Sequence, residues 1–258
     1  CISLNHCIKD NNEGNILDKL EYRLFINDVV DTLTLQGNLR DAYTLEPLER
    51  AWIMLFDTDV NDTLIFNSTP SYISKTDFKG DFYFTNLKEK DYKMFSITGG
   101  DFIYDKEEKI AFLDSVVNAK KDSIISLFAF KPIDIMEKEN VDTVLLNTEL
   151  ILLDSINQKK DNPSGSLQIL TISPPCIFQL LQNDDIKIEA AFNNSPYLFN
   201  KINPGQYKLK YIIDANQDSV WNTGSWENKI QPEKVLNYLS EIMIRSNWDL
   251  EIDWIILE

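Results

Sequence analysis

The chain has 258 residues, and its 25 Lys and Arg against 41 Asp and Glu give a formal net charge of −16. This charge argues against nucleic acid and anionic lipid surfaces as main partners, because both require clustered cations. Apolar residues make up 43% of the chain and charged residues 26%, as in a globular protein with a buried core. No apolar run approaches the ~20 residues of a membrane-spanning helix.

Many short runs alternate apolar with polar residues, which is the period of a half-buried strand. In chain order the predicted strands are 21–25, 32–39, 51–56, 81–84, 92–97, 123–130, 141–146, 167–172, 186–191, 206–213 and 248–256. Turn residues such as Gly, Pro, Asn and Asp separate these runs. The pattern predicts an all-β fold of tandem Ig-like or prealbumin-like β-sandwiches with little helix. Residues 232–244 carry the one helical pattern, although a strand fits their second half equally well.

An internal repeat is the most informative feature of the sequence. Residues 84–94 align without gaps with residues 199–209 in the pattern F-x-x-[L/I]-x-x-x-x-Y-K-[M/L]. Each copy is followed by an acidic loop that ends in an aromatic residue. A repeat of this period predicts two related β-domains in series. The predicted division is an N-terminal strand segment at 1–30, a first sandwich at 31–131 and a second, related sandwich at 141–258.

The acidic loop of the second copy has the D-x-N-x-D spacing that turns hard oxygen ligands toward one cation. Asp214, Asn216 and Asp218 occupy these positions, and Asn222 is a further candidate ligand. The expected ion is calcium. The positions that hold Gly and a bidentate Glu in a helix-flanked calcium loop hold serines here. The alternative is a hairpin loop whose Asx turns satisfy its own backbone. No other cofactor is predicted.

Cysteine and histidine are too scarce for a zinc site of the usual kind, because the chain has Cys1, Cys7, Cys176 and one histidine, His6. Scarce histidine also removes the usual general base of Ser–His or Cys–His chemistry. Carboxylate pairs could in principle hydrolyse a glycoside, but a solvated acidic face explains them better. These pairs are Glu107 with Glu108, Asp184 with Asp185, and Glu251 with Asp253. We therefore predict no catalytic residues and no enzymatic activity.

Aromatic residues crowd the C-terminal region, and we predict that they lie in the core rather than on a ligand-binding face. They are Trp221, Trp226, Trp248, Trp254, Tyr197, Tyr207 and Tyr211.

Residues 35–48 (LQGNLRDAYTLEPL) and 76–84 (TDFKGDFYF) resemble the carboxypeptidase-regulatory-like, or prealbumin-like, β-sandwich. Asp77 is expected to cap the turn and Gly80 to take a positive φ. More narrowly, the segments IAFLDS at 110–115, QPEKV at 231–235 and SNWD at 246–249 look like Ig-like-domain lipoproteins of Bacteroidota cell envelopes. An Ig-like domain precedes the regulatory-like module in those proteins, so residues 1–30 look like its remnant.

This resemblance implies an outer-membrane-associated envelope lipoprotein with a protein partner there and no nucleic acid partner. Contact with the membrane would run only through an N-terminal lipid. Cys1 is the expected lipidation site, because a lipoprotein cut at its signal begins with an acylated cysteine. The alternative is that Cys1 is a plain residue at a fragment boundary, and the sequence does not decide between the two.

The sequence and the resemblance support two candidate functions. The first is a non-enzymatic envelope protein that serves as a structural or docking module for protein partners. The second is a calcium-assisted module that binds a glycan or a peptide.

Overall fold

The computed structural model describes residues 2–9, 14–22, 31–101, 103–121, 124–132, 163–170, 175–194 and 196–254. The fold is all-β, as predicted, and consists of β-sandwiches in tandem. One short 3-10 helix, Asp62–Asn67, is the helical element of this part of the chain. Within the described residues, no helix is long and apolar enough to cross a membrane.

An antiparallel hairpin begins the chain, with β1 at Ile2–Lys9 and β2 at Ile16–Tyr22. The strands between residues 31 and 132, called here the first half, pair only with one another in the described sheets. They are β3 (Leu33–Asp41), β4 (Trp52–Asp57), β5 (Tyr72–Lys75), β6 (Asp81–Leu87), β7 (Asp91–Ile97), β8 (Ile110–Phe112), β9 (Val117–Asn118) and β10 (Ile124–Ala129).

Two sheets form the sandwich of the first half. One has the order β10-β3-β6, with β10 parallel and β6 antiparallel to β3. The other has the order β5-β4-β7-β8, and β9 also pairs with β7. Alternate side chains of both sheets fill the space between them, including Leu35, Leu39, Ile53, Leu55 and Tyr92.

The second half, residues 163–254, repeats this arrangement. One sheet has the order β14-β11-β18, and the other has the order β13-β12-β15-β16, with β17 also paired to β15. These strands are β11 (Gly165–Leu170), β12 (Cys176–Gln182), β13 (Asp185–Phe192), β14 (Tyr197–Ile202), β15 (Gly205–Ile213), β16 (Val235–Asn237), β17 (Ile242–Ile244) and β18 (Asp249–Asp253). The core includes Leu167, Phe178, Tyr197, Leu209 and Tyr211.

The pairing registers confirm the internal repeat. Leu35 pairs with Phe84 in the first half, and Leu167 pairs with Phe199 in the second. Both pairs follow a register shift at the same point of the ladder. The repeat therefore preserves individual strand pairs as well as the order of the strands.

A buried tyrosine in each half makes the same hydrogen bond. The Tyr92 hydroxyl donates to the Lys88 carbonyl oxygen at 3.0 Å, and the Tyr207 hydroxyl donates to that of Asn203 at 2.9 Å. Each bond reaches back four residues to the turn before the strand, as in the tyrosine corner of β-sandwiches. The tyrosine of the repeated sequence pattern therefore fixes the turn that leads into its own strand.

The turn before β6 has the predicted chemistry. The Asp77 carboxylate accepts the backbone N–H groups of Lys79 at 2.8 Å and Asp81 at 2.9 Å. Gly80 has a φ of 78°, and a Cβ there would lie 2.4 Å from the Leu39 carbonyl oxygen. Glycine is therefore required both by the backbone conformation and by the close approach of β3.

The predicted helix at 232–244 is wrong and the strand alternative for its second half is confirmed, because β16 and β17 occupy six of the thirteen residues. Val235 pairs with Ile212, and Ile242 pairs with Tyr207, so the segment completes the edge of the β15 sheet. Pairing with an existing strand outweighs a weak helical pattern. The predicted strand at 141–146 lies outside the described residues, as do residues 23–25, 123, 171–172 and 255–256 of other predicted strands. The proposed domain boundaries stay a prediction.

Candidate functional site

The acidic loop after β15 folds back on a buried aspartate. Asp214 is only 2% exposed. Its two carboxylate oxygens accept the backbone N–H groups of Asp218 at 3.1 Å and Ser219 at 3.0 Å. Gln217 and Ser219 have positive φ values of 61° and 65°, as a tight loop around a central acceptor requires. Asp214 therefore closes the loop through its backbone.

The structure brings the four predicted calcium ligands into one loop. The Asp218 carboxylate accepts the side-chain amides of Asn216 at 2.9 Å and Asn222 at 2.8 Å. Its other oxygen accepts the Val220 N–H at 2.9 Å. These bonds are those of a loop that satisfies its own polar groups. Within the described ranges, no three His, Cys, Asp or Glu side chains form a metal-binding group. The calcium site stays a prediction.

Sequence reasoning missed Glu233, which joins the two ends of the loop. One carboxylate oxygen accepts the Ala215 N–H at 2.9 Å, and the other accepts the Asn222 N–H at 2.9 Å. The Glu233 backbone in turn donates to the Asn222 carbonyl oxygen at 3.0 Å and accepts the Trp221 indole N–H at 3.0 Å. Glu233 lies in the QPEKV segment that carried the family resemblance, but only the folded loop reveals this role.

Residues 221–231, called here the docking hairpin, continue from this loop onto the first half. Trp226 is half-buried against the outer face of the β5-β4-β7-β8 sheet. Its ring centroid lies 5.0 Å from that of Phe95 and 5.0 Å from that of Phe112, in edge-to-face geometry. The Lys229 ammonium lies over the Trp226 ring and 3.3 Å from the Asp62 carboxylate. One tryptophan of the second half thus fills a hydrophobic surface of the first.

Polar contacts flank the Trp226 contact on both sides. The Thr223 hydroxyl donates to the Lys131 carbonyl oxygen at 2.9 Å, and the Gln231 amide donates to the Phe112 carbonyl oxygen at 3.0 Å. A Cβ at Gly224 would lie 2.6 Å from the Phe130 ring. The glycine therefore lets the hairpin backbone reach the first half at this point.

A turn of the first half makes the reciprocal contact. The Asp41 carboxylate accepts the N–H groups of Tyr43 at 2.9 Å and Thr44 at 2.7 Å. Burial opposes the ionisation of Asp41, but bonds from the Lys109 ammonium and the Thr44 N–H hold its pKa below the usual value. The turn places Tyr43 against the second half, with its ring centroid 4.9 Å from that of Trp221.

Tyr43 contacts two polar side chains of the second half. Its hydroxyl lies 2.9 Å from the Gln179 amide nitrogen, which donates to it. The buried Lys210 ammonium donates to the Tyr43 carbonyl oxygen at 3.0 Å and lies 4.0 Å from the ring centroid. Burial lowers the pKa of Lys210, although nearby Asp41 and other carboxylates act in the opposite direction. Each half thus inserts aromatic rings into the other.

The remaining predicted residues do not form a second site. The core prediction is confirmed for Tyr197, Tyr207 and Tyr211, which are buried. It is wrong for Trp248, whose side chain is 58% exposed beside β18, whereas Trp221, Trp226 and Trp254 are partly buried against the cores.

The predicted carboxylate pairs lie mostly at the surface, as expected of a solvated acidic face. Lys131 and Lys208 bind Glu107 and Asp184. Cys1 lies outside the described residues.

No protein-family model and no curated protein match the chain. Among solved structures, the Bacillus anthracis TIE protein is 13% identical over 88% of this chain and 33% of its own, with a TM-score of 0.25. The minor pilin GBS52 of Streptococcus agalactiae is 13% identical over 87% of this chain and 95% of its own, with a TM-score of 0.28.

A DUF3823 family protein from Parabacteroides merdae is 10% identical over 80% of this chain and 99% of its own, with a TM-score of 0.26. The chain spans about a third of the length of the TIE protein.

Replacing Asp214 tests its role as the acceptor that closes the loop. In the Asp214→Asn variant one oxygen becomes an NH₂ group that faces a backbone N–H, so we expect a loss of about 1–3 kcal/mol of unfolding free energy. Urea denaturation followed by tryptophan fluorescence measures it. The exposed Asp253→Asn variant is the matched control, and equal stability of the two variants would contradict the assigned role.

Replacing Trp226 tests the contact between the halves. We expect Trp226→Ala to remove about 2–4 kcal/mol of packing and to split one calorimetric unfolding transition into two. Trp248→Ala, which removes an exposed ring of the same type, should leave a single transition. A single, unshifted transition in both variants would show that Trp226 does not couple the halves.

Proposed function

We propose that this chain is a non-enzymatic cell-envelope protein whose two sandwiches act as one docking unit for a protein partner at the outer membrane. The observation that carries the proposal is the reciprocal contact between the halves, made by Trp226 and Tyr43. Domains joined by small polar contacts move relative to one another, whereas a hydrophobic interface with buried hydrogen bonds fixes their arrangement. A fixed pair of sandwiches presents a partner with one continuous surface.

The envelope address rests on the resemblance to Bacteroidota lipoproteins. The net charge of −16 disfavours adsorption to an anionic membrane surface. The proposed attachment is therefore a lipid on Cys1 rather than a basic face. The intact mass of the native protein tests the lipid on Cys1 alone. A mass without acyl chains would rule out the lipid anchor and would leave the docking proposal standing.

Cross-linking in intact cells that produce the protein natively tests the docking role. We expect the protein to fractionate with the outer membrane and to give the same cross-linked partner in repeated experiments. The Trp226→Ala variant should lose that partner because its two sandwiches no longer present one surface, and Trp248→Ala should keep it. Recovery of the protein alone, or in the cytoplasmic fraction, would overturn the proposal.

Calcium-assisted binding of a glycan or peptide is the second candidate function. The observation that favours it is the convergence of Asp214, Asn216, Asp218 and Asn222 in one loop. Their side-chain oxygens are of the kind that calcium prefers. An ion in this loop would stiffen the base of the docking hairpin.

Calorimetric titration with calcium chloride tests the second candidate. We expect measurable heat and a melting temperature that rises by about 5–10 °C when calcium reaches 100 times its Kd. Asp218→Ala should abolish both effects, whereas Asp101→Ala, in the equivalent loop of the first half, should not. No heat and no shift with excess calcium would eliminate this candidate.

A further inference from the structure

We infer that the cleft between the two halves binds an extended segment of a partner protein in which apolar side chains alternate with Lys or Arg. This inference rests on the proposed docking function and specifies the chemistry of the partner. The cleft has a volume of about 540 Å³ and is lined by both halves. Binding sites occur preferentially at such junctions, because two separate surfaces converge there.

The cleft has an apolar lining that is open to solvent. Leu45 and Pro47 of the first half face Leu181 and Ile186 of the second, and Leu239 lies at the mouth. Ile186 is 46% exposed and Leu239 is fully exposed. Single exposed apolar residues are ordinary, but a group that lines one concave surface indicates a binding surface. An apolar side chain of a partner would remove these residues from water.

The charge at the mouth of the cleft favours a cationic partner. Glu46, Asp184 and Glu241 line it together with the exposed Lys208, whose ammonium lies 2.7 Å from the Asp184 carboxylate. The pKa of Lys208 is raised, chiefly by its bond to Asp184 and further by the charges of Glu241 and Glu46. With the buried Lys210 included, the lining holds three carboxylates and two ammoniums, and a partner's Lys or Arg would balance the one unmatched carboxylate.

The second cation of the cleft is already engaged. Lys210 is only 7% exposed, and its ammonium is directed at the Tyr43 carbonyl oxygen and ring. Its charge still acts on Asp184 and Glu46, so it offsets part of the negative charge of the cleft. The same contact holds the two walls of the cleft together, so a partner need not order them on binding.

The backbone beside the cleft suits an extended segment. Ile186 belongs to β13, which pairs with β12 alone among the described strands. Its other edge, which lies at the Ile186 end of the cleft and opposite β16 in the sheet, offers backbone donors and acceptors to an added strand. Lys187, which binds Asp185 at 3.1 Å, places charge on this edge and so disfavours indiscriminate strand pairing. The apolar and charged residues of the cleft would then select the partner.

A synthetic peptide of five alternating Lys and Leu residues, labelled with fluorescein, is the probe. Fluorescence anisotropy should show saturable binding that weakens as salt is raised. Two comparison peptides separate the contributions, one with Glu in place of Lys and one with Gly in place of Leu. We expect both to bind at least about tenfold more weakly.

Variants then locate the site. Leu239→Ser should weaken binding about tenfold, and Glu46→Gln combined with Glu241→Gln should weaken it about threefold to tenfold. Glu49→Gln, an exposed position of the first half outside the cleft lining, is the control and should change nothing. Equal binding to all variants, or no binding of the Lys/Leu peptide, would overturn the inference.

The outcome is distinguishable from that of the docking proposal. If cells yield a cross-linked partner that Leu239→Ser retains, docking stands and the cleft is not its site. If the peptide binds at the cleft but cells yield no partner, the cleft chemistry stands and the envelope docking role fails.

Discussion

The packing of Trp226 against Phe95 and Phe112 is the interaction on which the rest of the molecule depends. Without it the outer face of the β5-β4-β7-β8 sheet would expose a large aromatic surface to water. With it, the hydrophobic surface of one sandwich is covered by a loop of the other. The proposed docking unit and the proposed binding cleft both depend on this arrangement, because each needs the two halves in a fixed relation.

The acidic loop has a structural role in this arrangement. Trp226 reaches the first half only if the hairpin leaves β15 in the right direction. Asp214 turns the chain through its two backbone bonds, and Glu233 ties the start of the hairpin to its return. Buried carboxylates that accept several backbone N–H groups are among the stronger local constraints on a loop. The D-x-N-x-D spacing that predicts a calcium site is therefore also the spacing of a turn that directs Trp226 toward the first half.

The sequence predicted the sandwich class, the repeat and the Asp77 turn, because periodicity and turn chemistry are local. It did not predict β12, since both faces of Cys176–Gln182 are covered and alternation disappears. It missed β16 and left β17 open between helix and strand, because these short strands depend on β15 for their pairing. The role of Glu233 was not predicted for a related reason. Its partners lie 11 and 18 residues away, and only the closed loop brings them to one carboxylate.

The two copies differ where they meet. Tyr92 and Tyr207 keep the same core position and the same turn bond. Three residues further along each strand, on the outer face, the first copy has Phe95 under Trp226 and the second has Lys210 under Tyr43. Inward positions are held by the packing of each sandwich alone, whereas outward positions are free to adapt to a neighbour. Because the two copies differ on this face, the halves form a specific interface, which two identical domains in series would lack. The part of the Lys210 face that Tyr43 leaves uncovered forms the cleft.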